Sequence, residues 1–355
     1  MSGFIDADTH VDECDETWSY MPASMSRYAP KNIEFAPGEA PEWLLPNRSS
    51  GSSYTRFWFI DGRLFNHRLR SDERTGTTVG TRELLDVPAR LRDMDEMGVA
   101  TQVIYPTVFL HEITRRADYQ AALYSAYNHW LAERCADSGG RLRWVALAPY
   151  RSMDDALKEI RFGKEHGACG VFKIGIECER TADDEYFHPA YSLAQELDLS
   201  ICIHQASAWA AVIANHSGFP GIEGGMPVVR AAAALAQHTL IKKFPELRFG
   251  FIESGSEWLP YVLRTPGLGN NVNKDALHGR LRDLNFFVTC EVSENVGYLV
   301  DELDCEDNLV VGTDYCHGDR ASVIDAHKQI NTREDLDEKV ADKITSMNAA
   351  TLYSL

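Results

Sequence analysis

From about residue 99 onward, short apolar runs alternate with amphipathic stretches. Runs at Thr101–Pro106, Arg143–Pro149, Gly170–Gly175, Ser200–His204, Arg248–Ser254, Asn285–Glu291 and Leu309–Tyr315 are nearly continuous in apolar residues. That is the pattern of strands buried on both faces. Between them the spacing predicts helices over 115–137, Met153–His166, Pro189–Leu197 and 226–243, and helices opening near Glu257 and Glu294. An eighth run occupies residues 3–10. Eight strands, seven of them alternating with helices, predict the α/β class and a (β/α)8 TIM barrel. A doubly wound open sheet is the alternative, but no GxGxxG follows the first strand.

One segment breaks the rhythm. Residues 14–98 are too many for a plain loop. They hold Pro30, Pro37, Pro41 and Pro46, then the tract Ser49–Ser53. A strand-like run, Arg56–Arg63, contains Asp61-Gly62, a hairpin-turn pair. A helix is expected over 86–97. The segment is read as an inserted lid over the barrel mouth, within a single domain spanning 1–355.

Charge narrows the function. Lys and Arg number 35 against 53 Asp and Glu, a formal net charge of −18. Such a chain repels phosphate backbones and anionic membranes, which argues against nucleic-acid binding. No run of eighteen apolar residues suggests a membrane span, and the first residues lack the basic and apolar regions of a signal peptide. The eight cysteines show no zinc spacing. Buried reduced thiols in a cytoplasmic protein are expected.

Catalytic groups of such barrels sit at the C-terminal ends of the strands. Those ends carry Asp8 and His10 (first strand), Lys173 (fourth), His204 (fifth), Glu253 (sixth) and Asp314 (eighth). Asp8 and His10 are two apart, so an extended strand turns both to one face. Two imidazoles and two carboxylates, from His10, His204, Asp8 and Asp314, suit a divalent transition metal: zinc, iron or manganese. Lys173 is open between a rim ion pair, a supporting contact and a modified metal bridge.

The motif Ile5-Asp-Ala-Asp-Thr-His-Val-Asp-Glu13 resembles the opening D-x-H-x-x-E signature of the amidohydrolase-related family. That branch includes the aminocarboxymuconate semialdehyde and resorcylate decarboxylases. Ile203-His204, the segment Phe244–Pro260 with its Glu-Ser-Gly-x-x-Trp form, and Val311–His317 extend the likeness from residue 4 to about 330. The resemblance implies that Asp8, His10, His204 and Asp314 are metal ligands. The family's decarboxylases and hydrolases carry an acid/base His after strand 6, where this chain has Glu253. Glu253 is therefore either the general acid/base, with a raised pKa, or a ligand to a second ion. Glu13, Lys173, Trp258 and His317 are candidates for supporting or substrate contacts. Arg56 and His67, in the lid, could meet an anionic substrate.

Three readings follow. The first is a metal-dependent hydrolase or decarboxylase of a small carboxylate-bearing or aromatic substrate. The second is a dinuclear iron or manganese/iron oxygenase with Glu253 as an extra ligand. The third is a non-catalytic metal-binding partner of a related subunit. One or two ions are expected, and the aromatic Phe57-Trp58-Phe59 run suggests either a lid core or a dimer contact.

Overall fold

The computed structural model describes residues 3–36, 39, 56–66, 72–206, 220–237, 240–264, 278–318 and 322–355. Strands are β1 (Phe4–His10), β2 (Lys31–Glu34), β3 (Arg56–Ile60), β4 (Arg63–Asn66), β5 (Val99–Tyr105), β6 (Leu142–Leu147) and β7 (Ala168–Ile174). They continue with β8 (Ile176–Glu177), β9 (Arg180–Thr181), β10 (Ser200–His204), β11 (Phe249–Ile252), β12 (Phe286–Thr289) and β13 (Leu309–Val310). Eight of these form one parallel sheet in the order β1-β5-β6-β7-β10-β11-β12-β13. Helices separate them, and the apolar runs are buried throughout, as the pattern predicts.

The sheet closes between its first and last strands. Ala7 N–H donates to Val311 O (3.2 Å), Asp314 N–H to Asp8 O (2.9 Å) and His10 N–H to Tyr315 O (2.9 Å), and Thr9 bridges Tyr315 in parallel. The result is a (β/α)8 barrel. The last strand is regular over only Leu309–Val310 rather than the expected Leu309–Tyr315. Its continuation bends along β1 to make this seam. Gly312 permits the approach: a Cβ there would lie 2.4 Å from the Asp8 Cβ.

Between β1 and β5, strands β2, β3 and β4 make a separate antiparallel sheet. The β3–β4 hairpin turns at Asp61-Gly62, both at positive φ (49° and 77°), as a primed turn demands. Phe57 and Trp58 are buried, Trp58 against Trp18, while Phe59 stays exposed. The helix Val87–Met97 opens on Asp86, whose carboxylate accepts from the Ala89 N–H, and ends on left-handed Gly98.

Candidate metal centre

Period two along β1 turns Asp8 and His10 to one face, as expected. His204 ends β10, while Glu253 and Asp314 follow β11 and β13. All five side chains are buried and converge. His10 Nε2 lies 3.4 Å from Asp8 Oδ1 and 3.4 Å from Asp314 Oδ1. His204 Nε2 lies 3.3 Å from Asp8 Oδ1, and its Nδ1 lies 3.6 Å from Glu253 Oε2. With metal–ligand bonds of about 2.1 Å, two donors on one tetrahedral ion stand about 3.4 Å apart. The three spacings made by Nε2 atoms, 3.3–3.4 Å, match, so the donor set fits a divalent transition metal.

The imidazole tautomers are prepared for it. His10 Nδ1 lies 2.9 Å from Pro106 O, and His204 Nδ1 lies 2.7 Å from Gln205 O. A carbonyl only accepts, so both Nδ1 atoms carry a proton and both Nε2 atoms face the cluster. The buried His10 Nε2 has no hydrogen-bond partner among the described residues, as a ligand atom awaiting a cation would be. Burial pushes the His10 pKa down. For His204 burial acts in the same direction, but the Asp8 carboxylate outweighs it and holds the ring above its ordinary value. Burial would raise Asp8, yet His204 and His10 keep it below the usual carboxylate range. The centre therefore favours neutral His10 beside ionised Asp8.

Backbone geometry aims the two later carboxylates. Glu253 and Asp314 both occupy the left-handed region, at φ 54° and 52°. Such strain in non-glycine residues concentrates at functional sites. The Glu253 turn is clamped by Glu294, whose carboxylate accepts from Ser256 N–H (2.7 Å), Ser256 Oγ–H (2.7 Å), Glu257 N–H (2.9 Å) and Glu291 N–H (2.8 Å). Trp258 Nε1–H donates to Gly255 O at 2.7 Å, so Trp258 braces this turn. The Asp314 turn is held by Asp6, whose carboxylate accepts from Thr313 N–H (2.8 Å) and Oγ1–H (2.6 Å). Burial raises the Asp6 pKa to about 7. Glu294 and Asp6 escaped the sequence reading. Asp6 shared the two-residue spacing of Asp8 and His10, a signal that could have marked it.

The remaining candidates divide. His317 is buried in the cluster: its ring stacks on His10 at 3.8 Å, Nδ1 lies 2.8 Å from Asp314 Oδ1, and Nε2 lies 3.0 Å from Thr107 Oγ1. Glu13 holds the loop after β5, accepting from Thr107 N–H (3.0 Å) and Val108 N–H (2.9 Å). The same loop supplies Pro106 O to His10. Lys173 is not brought to the cluster. It pairs in register with Ile203 while its neighbour Ile174 pairs with His204, so Lys173 faces the helix layer. Its Nζ lies 3.6 Å from the Phe187 ring centroid and 4.9 Å from that of Tyr150, and burial lowers its pKa to about 8. Arg56 pairs with Glu34 (3.4 Å) on the partly exposed small sheet. His67 lies outside the described residues.

Two overlapping sets of four donors can be drawn in the cluster. One is Asp8, His10, His204 and Glu253; the other is His10, Glu253, Asp314 and His317. A model of the amidohydrolase family matches residues 5–355, nearly the whole chain. The chain belongs to the amidohydrolase family. Among solved structures, an amidohydrolase from Mycobacterium avium subsp. paratuberculosis superposes with a TM-score of 0.74 at 18% identity, covering 99% of each chain. A 5-carboxyvanillate decarboxylase from Novosphingobium aromaticivorans, with bound manganese, gives 0.67 at 20% identity, covering 99% of this amidohydrolase and 97% of its own chain. A 2,6-dihydroxybenzoate decarboxylase from Rhizobium gives 0.63 at 18% identity, covering 100% and 99%. These likenesses establish the barrel fold. No described helix of this amidohydrolase is long and apolar enough to cross a membrane.

Proposed function

We propose that this amidohydrolase is a divalent-metal-dependent enzyme that decarboxylates a small aromatic or other carboxylate-bearing acid, with hydrolysis of a similar substrate as the neighbouring chemistry. The observation that carries this reading is the convergence of Asp8, His10, His204, Glu253 and Asp314 at the C-terminal ends of the barrel strands. Asp8, His10, His204 and Asp314 would hold the ion. When bound, it supplies Lewis-acid polarisation of a substrate oxygen or a more acidic water. The names of two structural relatives, decarboxylases of aromatic acids, favour decarboxylation.

In that reaction the bond between ring carbon and carboxyl carbon breaks, carbon dioxide leaves, and its electron pair stays on the ring. A proton must replace it. Glu253 is the proposed donor, buried beside His204 in the place where the family carries an acid/base His. Glu253, His204 and Asp314 are themselves buried, which limits the access of bulk water to the developing charge.

A second reading concerns ion count. A second ion, if held, would draw on Glu253, Asp314 and His317, because His10 Nε2 offers a single lone pair and already belongs to the first set. The oxygenase chemistry once attached to two ions draws no support from the relatives. The test is carbon dioxide release from a panel of hydroxybenzoic acids by manganese-loaded protein. Manganese-dependent release, lost in Glu253→Gln, supports the decarboxylase. Release of neither carbon dioxide nor hydrolysis products across carboxylic-acid and ester panels counts against the reading.

A further inference from the structure

We infer that Arg90 is a positioning residue for the metal centre, setting the relative placement of the two barrel lips that carry the ligands. The inference takes its readout, metal affinity, from the metal reading above.

The ligands straddle the seam where the barrel closes. Asp8 and His10 lie on one lip, Asp314 on the other, and His10 Nε2 reaches across to Asp314 Oδ1 at 3.4 Å. Among the described residues no regular ladder joins the lips; a single bridge and a few backbone hydrogen bonds do. A small slide of one lip would change the His10–Asp314 spacing and with it the placement of Asp314 against the other donors. Something stiffer than this seam must fix it.

Arg90 lies against that seam. It projects from the helix Val87–Met97 and is fully buried. Nη1 donates to His10 O at 2.8 Å and Nη2 to Thr9 Oγ1 at 3.3 Å, both on the first lip. The guanidinium lies 4.3 Å over the ring of Tyr315, the residue after Asp314, on the second lip. The Tyr315 hydroxyl donates to Asp93 at 2.5 Å, one turn along the same helix. Nε donates to Gln102 Oε1 at 2.8 Å, which ties the group to β5. One planar cation thus grips both lips and the neighbouring strand. Among the described residues no carboxylate is ion-paired to it. A guanidinium buried on carbonyl, amide, hydroxyl and ring partners is costly to place, and its fork cannot be reproduced by a lysine.

The experiment is Mn²⁺ titration by calorimetry of wild-type protein, Arg90→Lys and Arg248→Lys, with a thermal melt of each. Arg248 is the comparison clamp, at the opposite end of the barrel. Its Nε donates to Leu352 O (3.1 Å) and its Nη2 to Asp198 (2.6 Å) and Ser354 (2.6 Å). Arg90→Lys is expected to weaken Mn²⁺ binding about 10- to 100-fold, the usual effect of losing a group that orients metal ligands. Arg248→Lys is expected to lower the melting temperature and leave Mn²⁺ affinity unchanged. Folded Arg90→Lys with wild-type affinity overturns the inference, as does an equal loss in Arg248→Lys. Wild-type protein that binds no Mn²⁺ overturns the metal reading instead. Should Arg90→Lys fail to fold, Thr9→Val removes one guanidinium acceptor; weaker Mn²⁺ binding in it supports the role and unchanged binding overturns it.

Discussion

Glu253 and Asp314 end two different barrel segments in the same left-handed conformation, with φ of 54° and 52°. Each non-glycine residue held there costs of order 1–2 kcal/mol. Glycine adopts this region freely. Asp314→Gly is therefore expected to melt no lower than the wild-type apoprotein, while its retained metal falls. A melting temperature well below wild type would mean that the Asp314 carboxylate's contacts with Ser322 and His317 outweigh the strain of the turn.

Glu253→Gln separates proton donor from ligand. The amide keeps the shape of the carboxylate and removes its acid. If Glu253 is the donor, metal content holds and turnover falls by about 10²–10⁴, the usual worth of a positioned acid. Loss of one of two bound ions would make Glu253 a ligand and support the two-cation arrangement.

Much of this architecture could be read from the chain. Seven apolar runs in alternation with helices sufficed for the barrel, because strands covered on both faces leave a continuous signal. Asp8 and His10 were legible through the two-residue period, and the hairpin through Asp61-Gly62. The role of Lys173 stayed open for a physical reason. A strand-end position does not say which face a side chain takes; that depends on register with β10, where Ile174 and not Lys173 stands beside His204. Glu294 and Arg90 were invisible because the contacts that matter join residues far apart along the chain and exist only once the barrel closes.

The orientation of Lys173 has its own test. Lys173→Met is expected to leave metal content intact, since the side chain packs on Phe187 and Tyr150 outside the barrel. It should also change the pH dependence of stability. With the buried pKa near 8 against an ordinary 10.5, the folded state binds fewer protons than the unfolded state between those values. Stability from this group therefore rises with pH across about 8–10.5 and is absent below 8. Denaturant titrations at pH 8 and 10 should show that slope in the wild type and a flatter one in Lys173→Met. Metal loss in the variant would place Lys173 at the centre after all.

Glu13 anchors the loop that carries Pro106 O and Thr107. Glu13→Ala leaves two buried N–H groups without their acceptor, a cost of about 2–5 kcal/mol. Glu13→Gln retains one acceptor oxygen and should cost less. Urea unfolding of the two variants checks the order. Equal stability of Glu13→Ala and wild type would mean that the loop holds without it.

Metal analysis of wild-type protein beside His204→Ala tests directly whether the buried donors bind a divalent metal. Each is loaded with manganese, iron or zinc, passed through a desalting column and assayed for bound ion, with circular dichroism confirming the fold. At least one ion is expected to stay with each wild-type chain, with strong loss in folded His204→Ala. Wild-type protein that retains none of the three metals, or His204→Ala that retains as much as wild type, would contradict metal binding by these donors.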